Sequence, residues 1–168
     1  MLKMSLDRLE QLSAHEIGHT LGLMHNYAAS TADRSSVMDY PHPLIRLNNK
    51  GEIDVTNAYD LKIGDWDKVS IAWGYADFSN SKNEAADLDK ILTDAYAKGL
   101  KFISDRDARA PGGLHPDAHL WDNGNEPIAT LEEMIKMRSV ALKQFGARAI
   151  KNGTPMAMLE DVLVPVYF

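Results

Sequence analysis

The apolar positions at the start of the chain recur at helical spacing. Winding this segment at 3.6 residues per turn places five side chains roughly along one stripe: Leu6, Ser13, Ile17, Leu21 and Met24. A helix with such a stripe normally packs against another layer of structure. We therefore predict a helix over residues 5–23, whose stripe is either exposed or covered by a second copy of the chain.

A second, shorter helix is predicted for residues 65–73. Two early carboxylates, Asp65 and Asp67, suit the positive N-terminal end of its dipole. The side chains that we expect to pack inward are Val69, Ala72 and Trp73.

A third helix is predicted after the tetrapeptide that starts at Ser81, since this tetrapeptide fits a capping box. The helix should continue to about Lys98 and end at Gly99. Its expected apolar face consists of Leu88, Ile91, Leu92 and Ala95.

The longest helix is predicted for residues 128–150. Apolar side chains recur there at helical spacing: Ile128, Leu131, Ile135, Leu142 and Phe145. Gly153 breaks this helix, and Thr154 with Pro155 provides the cap and first turn of another short one. The pattern as a whole is that of a mainly α-helical chain.

Residues 15–25 read HEIGHTLGLMH and so fit the pattern HExxHxxGxxH. In a helix, side chains four residues apart lie on one face, so His15 and His19 can bind one zinc ion together. Gly22 is placed to end the helix, because glycine adopts a positive φ without strain. The chain can then turn and bring His25 to the same ion as a third ligand.

Three protein ligands leave the fourth position of a tetrahedral zinc open, which is typical of a catalytic site. Glu16 is one residue from His15, and its carboxylate is placed to take the proton of a zinc-activated water. HExxH alone also occurs by chance in helices that bind no metal. Gly22 and His25, at the correct offsets, favour the zinc interpretation. Zinc is the expected metal, although other divalent ions accept the same ligands.

The residues that follow resemble the Met-turn of the metzincins, a family of zinc endopeptidases. The matching sequence is SSVMDYP, which starts at Ser35. The resemblance implies that Met38 forms an apolar floor under the zinc and that Tyr40 ligates the metal or hydrogen-bonds the oxyanion. Taken alone, Met38 could be an ordinary core methionine, and Tyr40 a buried tyrosine with a satisfied hydroxyl.

The likeness is closest to a group of large bacterial proteins that carry a "Met-zincin" domain. It includes HEIGHTLGLMHNYAAS, SVMDYP, residues 103–108 and residues 115–124. The resemblance implies the C-terminal catalytic part of a metzincin-like α+β zincin fold, with the upstream β-sheet missing. We therefore expect residues 1–168 to be a single domain excerpted from a longer protein. Residues 1–64 would carry the active-site helix, zinc loop and Met-turn, and residues 65–168 a helical C-terminal subdomain.

Residues 26–64 and 101–126 lack a regular period and are expected to be mostly loop. His42 is interpreted as a loop residue, since the three-histidine set is already complete. The second segment contains further potential ligands: Asp105, Asp107, His115, Asp117, His119 and Asp122. They could bind a second metal such as Ca²⁺, although their spacing matches no calcium loop. They could equally stabilise turns, or the loop could line a substrate cleft.

The amino-acid composition excludes several classes of function and site. The 168 residues are 45% hydrophobic and 25% charged, and the net charge of −6 without a basic patch argues against nucleic acid as a partner. Cysteine is absent, which excludes disulfides and zinc-thiolate sites. No apolar run is long enough to span a membrane, and no signal peptide is recognised. We expect the parent protein to be secreted, periplasmic or on the cell surface.

The sequence therefore predicts a zinc metalloendopeptidase that hydrolyses a protein or peptide substrate. His15, His19 and His25 are the predicted ligands, Glu16 and Tyr40 the catalytic residues, and Gly22 and Met38 the structural support. The missing N-terminal part of the same protein is an expected partner, and the fragment alone should have little activity. The alternative is a non-catalytic zinc-binding or structural module, although a site kept only for structure would not need Glu16.

Overall fold

The computed structural model describes residues 2–113 and 115–167, and this part of the chain is mainly helical, as predicted. Its α-helices are α1 (Leu2–Thr20), α2 (Asp65–Tyr75), α3 (Glu84–Ala97), α4 (Asp105–Ala108), α5 (Pro127–Gln144) and α6 (Leu159–Tyr167). Two short strands, β1 (Arg46–Leu47) and β2 (Ile53–Asp54), form an antiparallel hairpin in which Arg46 pairs with Asp54. This hairpin lies within a segment predicted to be mostly loop. No described helix is both long and apolar enough to cross a membrane.

Helix α1 begins three residues earlier than predicted and ends at Thr20, where the following residues form a Schellman motif. The amide of Leu23 donates to the carbonyl of Gly18, and the amide of Gly22 donates to that of His19. Gly22 has a φ of +81°, as its predicted role requires. The chain therefore reverses within a few residues of His19.

The apolar stripe of α1 faces away from the rest of the chain. Leu6 and Ile17 of this stripe, and Leu9 beside them, are more than half exposed. The opposite face carries Asp7, Gln11, His15 and Gly18, and these residues are buried. This polar face packs on the segment around Val37, whose carbonyl accepts a hydrogen bond from Gln11 Nε2 at 3.2 Å. Helix α1 is thus held to the rest of the structure largely by polar contacts.

Helices α2 and α3 pack on each other around Trp66, Ala95 and Leu100. Trp66 stacks on Phe102 with ring centroids 5.4 Å apart. The expectation that Trp73 packs inward is wrong, since its side chain is 48% exposed. The predicted capping box that starts at Ser81 is also wrong. The N-cap of α3 is Asn83, whose side chain accepts a hydrogen bond from the Ala86 amide at 3.2 Å.

Helix α5 turns a different face inward from the predicted one, and this face is only partly buried. Its predicted apolar residues Ile128, Leu131, Ile135 and Leu142 are exposed. The opposite side packs on the hairpin and α6, with an apolar cavity of about 450 Å³ lined in part by Met134, Met137 and Ala141. The helix ends at Gln144 rather than residue 150, because Phe145 is extended.

The last helix begins later than its predicted cap. Pro155 precedes a three-residue 3₁₀-helix, Met156–Met158, which leads directly into α6. Thr154 was predicted to cap this helix, but it lies outside the cap position and the cap residue makes no side-chain hydrogen bond. Helix α6 therefore follows a tight turn rather than a side-chain cap.

Candidate metal centre

The three predicted ligand histidines converge. His15 and His19 project from the same face of α1, and the turn at Gly22 brings His25 beside them. The Nε2 atom of His19 lies 3.1 Å from that of His15 and 3.2 Å from that of His25. One ligand atom from each ring falls within 4.8 Å of the others, so the group could hold a metal ion.

Each of these rings is held by a hydrogen bond at its outer nitrogen. His15 Nδ1 lies 2.7 Å from the carbonyl oxygen of Val37, and His19 Nδ1 lies 3.0 Å from that of Leu23. A carbonyl oxygen only accepts, so each Nδ1 carries the proton and donates it. In a neutral ring the Nε2 atom then has a free lone pair.

His25 has a carboxylate as its outer partner. Its Nδ1 atom lies 2.7 Å from Asp105 Oδ2. Burial opposes ionisation of Asp105, but hydrogen bonds from His25 and Tyr27 favour the carboxylate, and the net effect lowers its pKa. Three Nε2 lone pairs therefore point at each other at close range. A cation between them would relieve this repulsion, so the donor set fits a divalent metal such as zinc.

The environment of His15 favours the neutral ring that metal binding requires. Burial is the largest cause that lowers its pKa, and the neighbouring His19 and His25 lower it further. The hydrogen bond to Val37 opposes these effects but does not reverse them.

Met38 packs against α1 at Gly18. Its side chain is 1% exposed. A Cβ atom added to Gly18 would lie 2.3 Å from the Met38 sulfur, so the thioether packs directly on the backbone of this helical turn. Gly18 lies between His15 and His19 in the sequence, so Met38 packs on the helical turn that carries both histidines. The sequence did not indicate this contact with Gly18.

Asn26 connects the third histidine to two distant segments, and sequence reasoning missed it. Its backbone amide donates to the carbonyl of Met38 at 3.0 Å. Its side chain donates to the carbonyl of Lys101 at 2.8 Å and accepts from the amide of Ile103 at 3.1 Å. Asn26 is fully buried. It therefore fixes the position of His25 relative to the Met-turn.

Asp67 of α2 holds the Met-turn from the other side. Its carboxylate accepts from the Ser36 hydroxyl at 2.5 Å and from the Val37 amide at 2.8 Å. It also accepts from the Gly64 amide at 2.7 Å, which caps α2. The sequence placed Asp67 at this helix terminus, but it gave no indication of the contact with Val37. Because Val37 in turn holds His15, a chain of hydrogen bonds joins α2 to the metal centre.

The metal centre opens into a cleft of about 260 Å³. Its lining consists of Arg8, Leu12, His15, Glu16, His19, His25, Asp39, Tyr40 and Trp121. Glu16 is exposed at this cleft. The centroid of the Tyr40 ring lies 4.7 Å from that of the His25 ring and 5.7 Å from that of the His15 ring. Both predicted catalytic residues therefore lie beside the three histidines.

Trp121 forms one wall of the cleft and was not singled out from the sequence. Its ring stacks on Tyr40 at a centroid distance of 5.2 Å, and its amide donates to the Tyr40 carbonyl at 3.0 Å. Its side chain is 56% exposed, and its φ of +62° is unusual for a residue other than glycine. Strained residues of this kind concentrate at functional sites. Residues 101–126 were expected to bind a second metal, to stabilise turns or to line a cleft. The position of Trp121 agrees with the third of these expectations.

The other potential ligands do not gather around a second ion. Asp105 contacts His25, Asp117 pairs with Lys101 at 2.6 Å, and His42 Nδ1 lies 3.1 Å from the carbonyl oxygen of Pro43. In residues 2–113 and 115–167 the three-histidine group is the one set of three or more potential ligand side chains with metal-binding geometry. His42 lies outside this set.

The described fold and site define a helical chain with a three-histidine candidate metal centre above a buried methionine. The family model described as Met-zincin matches residues 1–168, so the chain belongs to the Met-zincin family. This confirms the resemblance seen in residues 15–40. Neither the curated proteins nor the solved structures contain a significant match.

Proposed function

We propose that this chain is the catalytic domain of a zinc-dependent endopeptidase. The observation that carries the proposal is the convergence of three Nε2 atoms whose rings are each held by an outer acceptor. An exposed carboxylate, Glu16, lies at the same cleft. Three imidazoles with an adjacent carboxylate are the donor set of a catalytic zinc site rather than a structural one. Membership of the Met-zincin family supports the same assignment.

His15, His19 and His25 would hold the metal. When bound, zinc supplies a Lewis acid that polarises a substrate carbonyl and increases the acidity of a water molecule. The hydrogen bonds at the three Nδ1 atoms orient the rings before the metal binds, so less entropy is lost on binding. Met38 excludes water from beneath the ligands.

Glu16 acts as the general base. Its carboxylate accepts a proton from the attacking water and then passes it to the amine that leaves. Its position next to His15 places it at the cleft without making it a ligand.

Tyr40 stabilises the charge that develops on the substrate oxygen. Its ring borders His15 and His25, and stacking on Trp121 limits its movement. A phenol in this position can donate a hydrogen bond to an oxyanion, which is usually one of the larger catalytic effects.

The substrate is a protein or peptide, and both halves of the chain contribute to its cleavage. Residues 1–64 supply the ligands, Glu16 and Tyr40, whereas residues 65–168 supply Asp105 and Trp121. We therefore propose that these two segments act as one catalytic unit. We also propose, from its predicted class, that the parent protein is secreted, periplasmic or on the cell surface.

The proposal can be tested by measuring zinc content and hydrolysis of an unfolded protein substrate by the full-length gene product. Glu16→Gln should bind zinc normally but lose at least about 100-fold of its turnover, because the base is gone. Glu10→Gln is a matched control, since it changes an exposed glutamate of the same helix. Full activity in Glu16→Gln would overturn the assignment of the base. Zinc bound without hydrolysis in the wild type would favour the alternative, a non-catalytic zinc module.

A further inference from the structure

The third histidine is held differently from the other two. His15 and His19 donate to backbone carbonyls, whereas His25 donates to the side chain of Asp105, 80 residues later. The His25 side chain is 15% exposed and the distance to the carboxylate oxygen is 2.7 Å. A charge-assisted hydrogen bond of this length is roughly twice as strong as a neutral one. Of the three rings, the one carried by a loop rather than by a helix therefore has the strongest outer partner.

Asp105 is itself fixed in place by the surrounding residues. Its second oxygen, Oδ1, accepts from the Tyr27 hydroxyl at 3.0 Å. The amide of Tyr27 donates to the carbonyl of Ile103 at 2.8 Å, which ties the segment before α4 to the loop that carries His25. Arg109, one helical turn further along, lies 3.9 Å from the same Oδ1. Both carboxylate oxygens thus have defined partners before any ligand is present.

We propose that Asp105 is the positioning residue of the third metal ligand. It keeps the proton on Nδ1 of His25 and directs Nε2 toward the other two histidines. This rests on the proposed metal centre, and it makes tight metal binding by residues 15–25 dependent on α4. Partners of this kind typically contribute about 10- to 100-fold to metal affinity.

Two substitutions separate this role from a purely structural one. Asp105→Ala removes the acceptor, whereas Asp105→Asn keeps the shape of the side chain and a neutral acceptor oxygen. Asp107→Asn is the matched control, because Asp107 is an exposed carboxylate on the same short helix. Circular dichroism and the melting temperature of each metal-free variant establish that it folds.

The first measurement is the affinity for Zn²⁺, determined by competition with a chromophoric chelator. We expect Asp105→Ala to bind roughly 10- to 100-fold more weakly than the wild type, Asp105→Asn to lie between them, and Asp107→Asn to match the wild type. Wild-type affinity in both Asp105 variants would overturn the proposal while leaving the metal centre intact. A wild type that binds no Zn²⁺ would instead overturn the metal centre itself.

The second measurement does not involve metal or activity. Nitrogen-15 NMR of the imidazole rings in the metal-free protein reports which ring nitrogen carries the proton. We expect His25 to be protonated at Nδ1 in the wild type and in Asp107→Asn, and to become a mixture of tautomers in folded Asp105→Ala. An unchanged His25 tautomer in that variant would contradict the proposed role, whatever its effect on stability.

Discussion

Gly18 is the residue at which the metal helix comes closest to its apolar support. Replacing Gly18 with alanine places a methyl group 2.3 Å from the Met38 sulfur, so Met38 must move. Met38 is buried, and overpacking of this kind costs about 1–3 kcal/mol, which exceeds the gain of roughly 1 kcal/mol from alanine in a helix. We expect Gly18→Ala to lower the free energy of unfolding measured with urea.

Gly74 provides the matched control for this substitution. It also lies in a helix, α2, but an added Cβ would have no atom within 4 Å. Gly74→Ala should therefore raise the free energy of unfolding by about 0.5–1 kcal/mol. If both variants gain stability equally, Met38 does not pack on α1 as described.

At the scale of single residues, the sequence predicted those features of the site that lie within one short segment of the chain. The three histidines, Glu16 and Gly22 fall within 11 consecutive positions, and helix geometry followed by one turn is enough to bring them together. Asp105 could not be assigned in this way. Its contact with His25 depends on how a segment 80 residues away returns to the site, and no local spacing encodes that.

At the scale of elements, α2 stabilises the metal centre through one buried carboxylate. Asp67 is 1% exposed and accepts three hydrogen bonds, two of them from Ser36 and Val37. Asp67→Ala would leave these donors buried without a partner, at about 1–3 kcal/mol for each group. We expect a loss of at least about 3 kcal/mol in unfolding free energy, and weaker zinc binding because Val37 no longer holds His15 firmly.

Asp65→Asn tests whether this effect belongs to Asp67 or to the charge at the helix terminus. Asp65 is in the first turn of the same helix, but it is exposed and its ion pair with Lys68 lies on the surface. Its loss should change the unfolding free energy far less than Asp67→Ala does, because a solvent-exposed ion pair contributes little to stability. Comparable losses in the two variants would indicate a dipole effect rather than an anchored Met-turn.

Helix α5 shows why periodicity locates helices better than it identifies their buried faces. The predicted stripe contains Ile128, Leu131 and Ile135, but Met134, Met137 and Ala141 also recur at offsets of three and four. Both stripes are apolar enough to pack. The structure packs the second stripe, which is partly buried, toward the hairpin, and the hairpin lies in a segment that the sequence predicted to be mostly loop. The choice between faces therefore depended on a partner that local patterns did not predict.

At the scale of the whole molecule, packing around the metal centre depends on buried polar groups as much as on apolar ones. The described residues form two small apolar clusters, around Tyr27 and around Trp66, while the apolar stripe of α1 is exposed. Asn26, Asp39 and Asp67 are buried as well. Buried carboxylates make stability depend on pH, since their charge is costly to desolvate.

Asp39 is the carboxylate for which this dependence should be largest. Burial is the main cause that raises its pKa to about 7, and the charge of Asp122 raises it further, against the hydrogen bonds from the backbone of Tyr40 and Ser30. In the unfolded chain its pKa is about 3.9. The folded state therefore holds this proton more tightly, and its contribution to stability is complete below pH 4 and lost as the pH rises through 7.

Asp39→Asn should remove this pH dependence, because asparagine resembles the protonated acid and does not titrate. Between pH 5 and pH 8 the metal-free wild type should lose about 2–3 kcal/mol of unfolding free energy relative to Asp39→Asn, measured by urea denaturation. Titrating groups that do not interact with Asp39, such as His15, are common to both proteins and cancel in the difference. Asp33→Asn, which changes an exposed carboxylate, should follow the wild type. Parallel pH curves for the wild type and Asp39→Asn would show that Asp39 is ionised throughout this range in the folded protein.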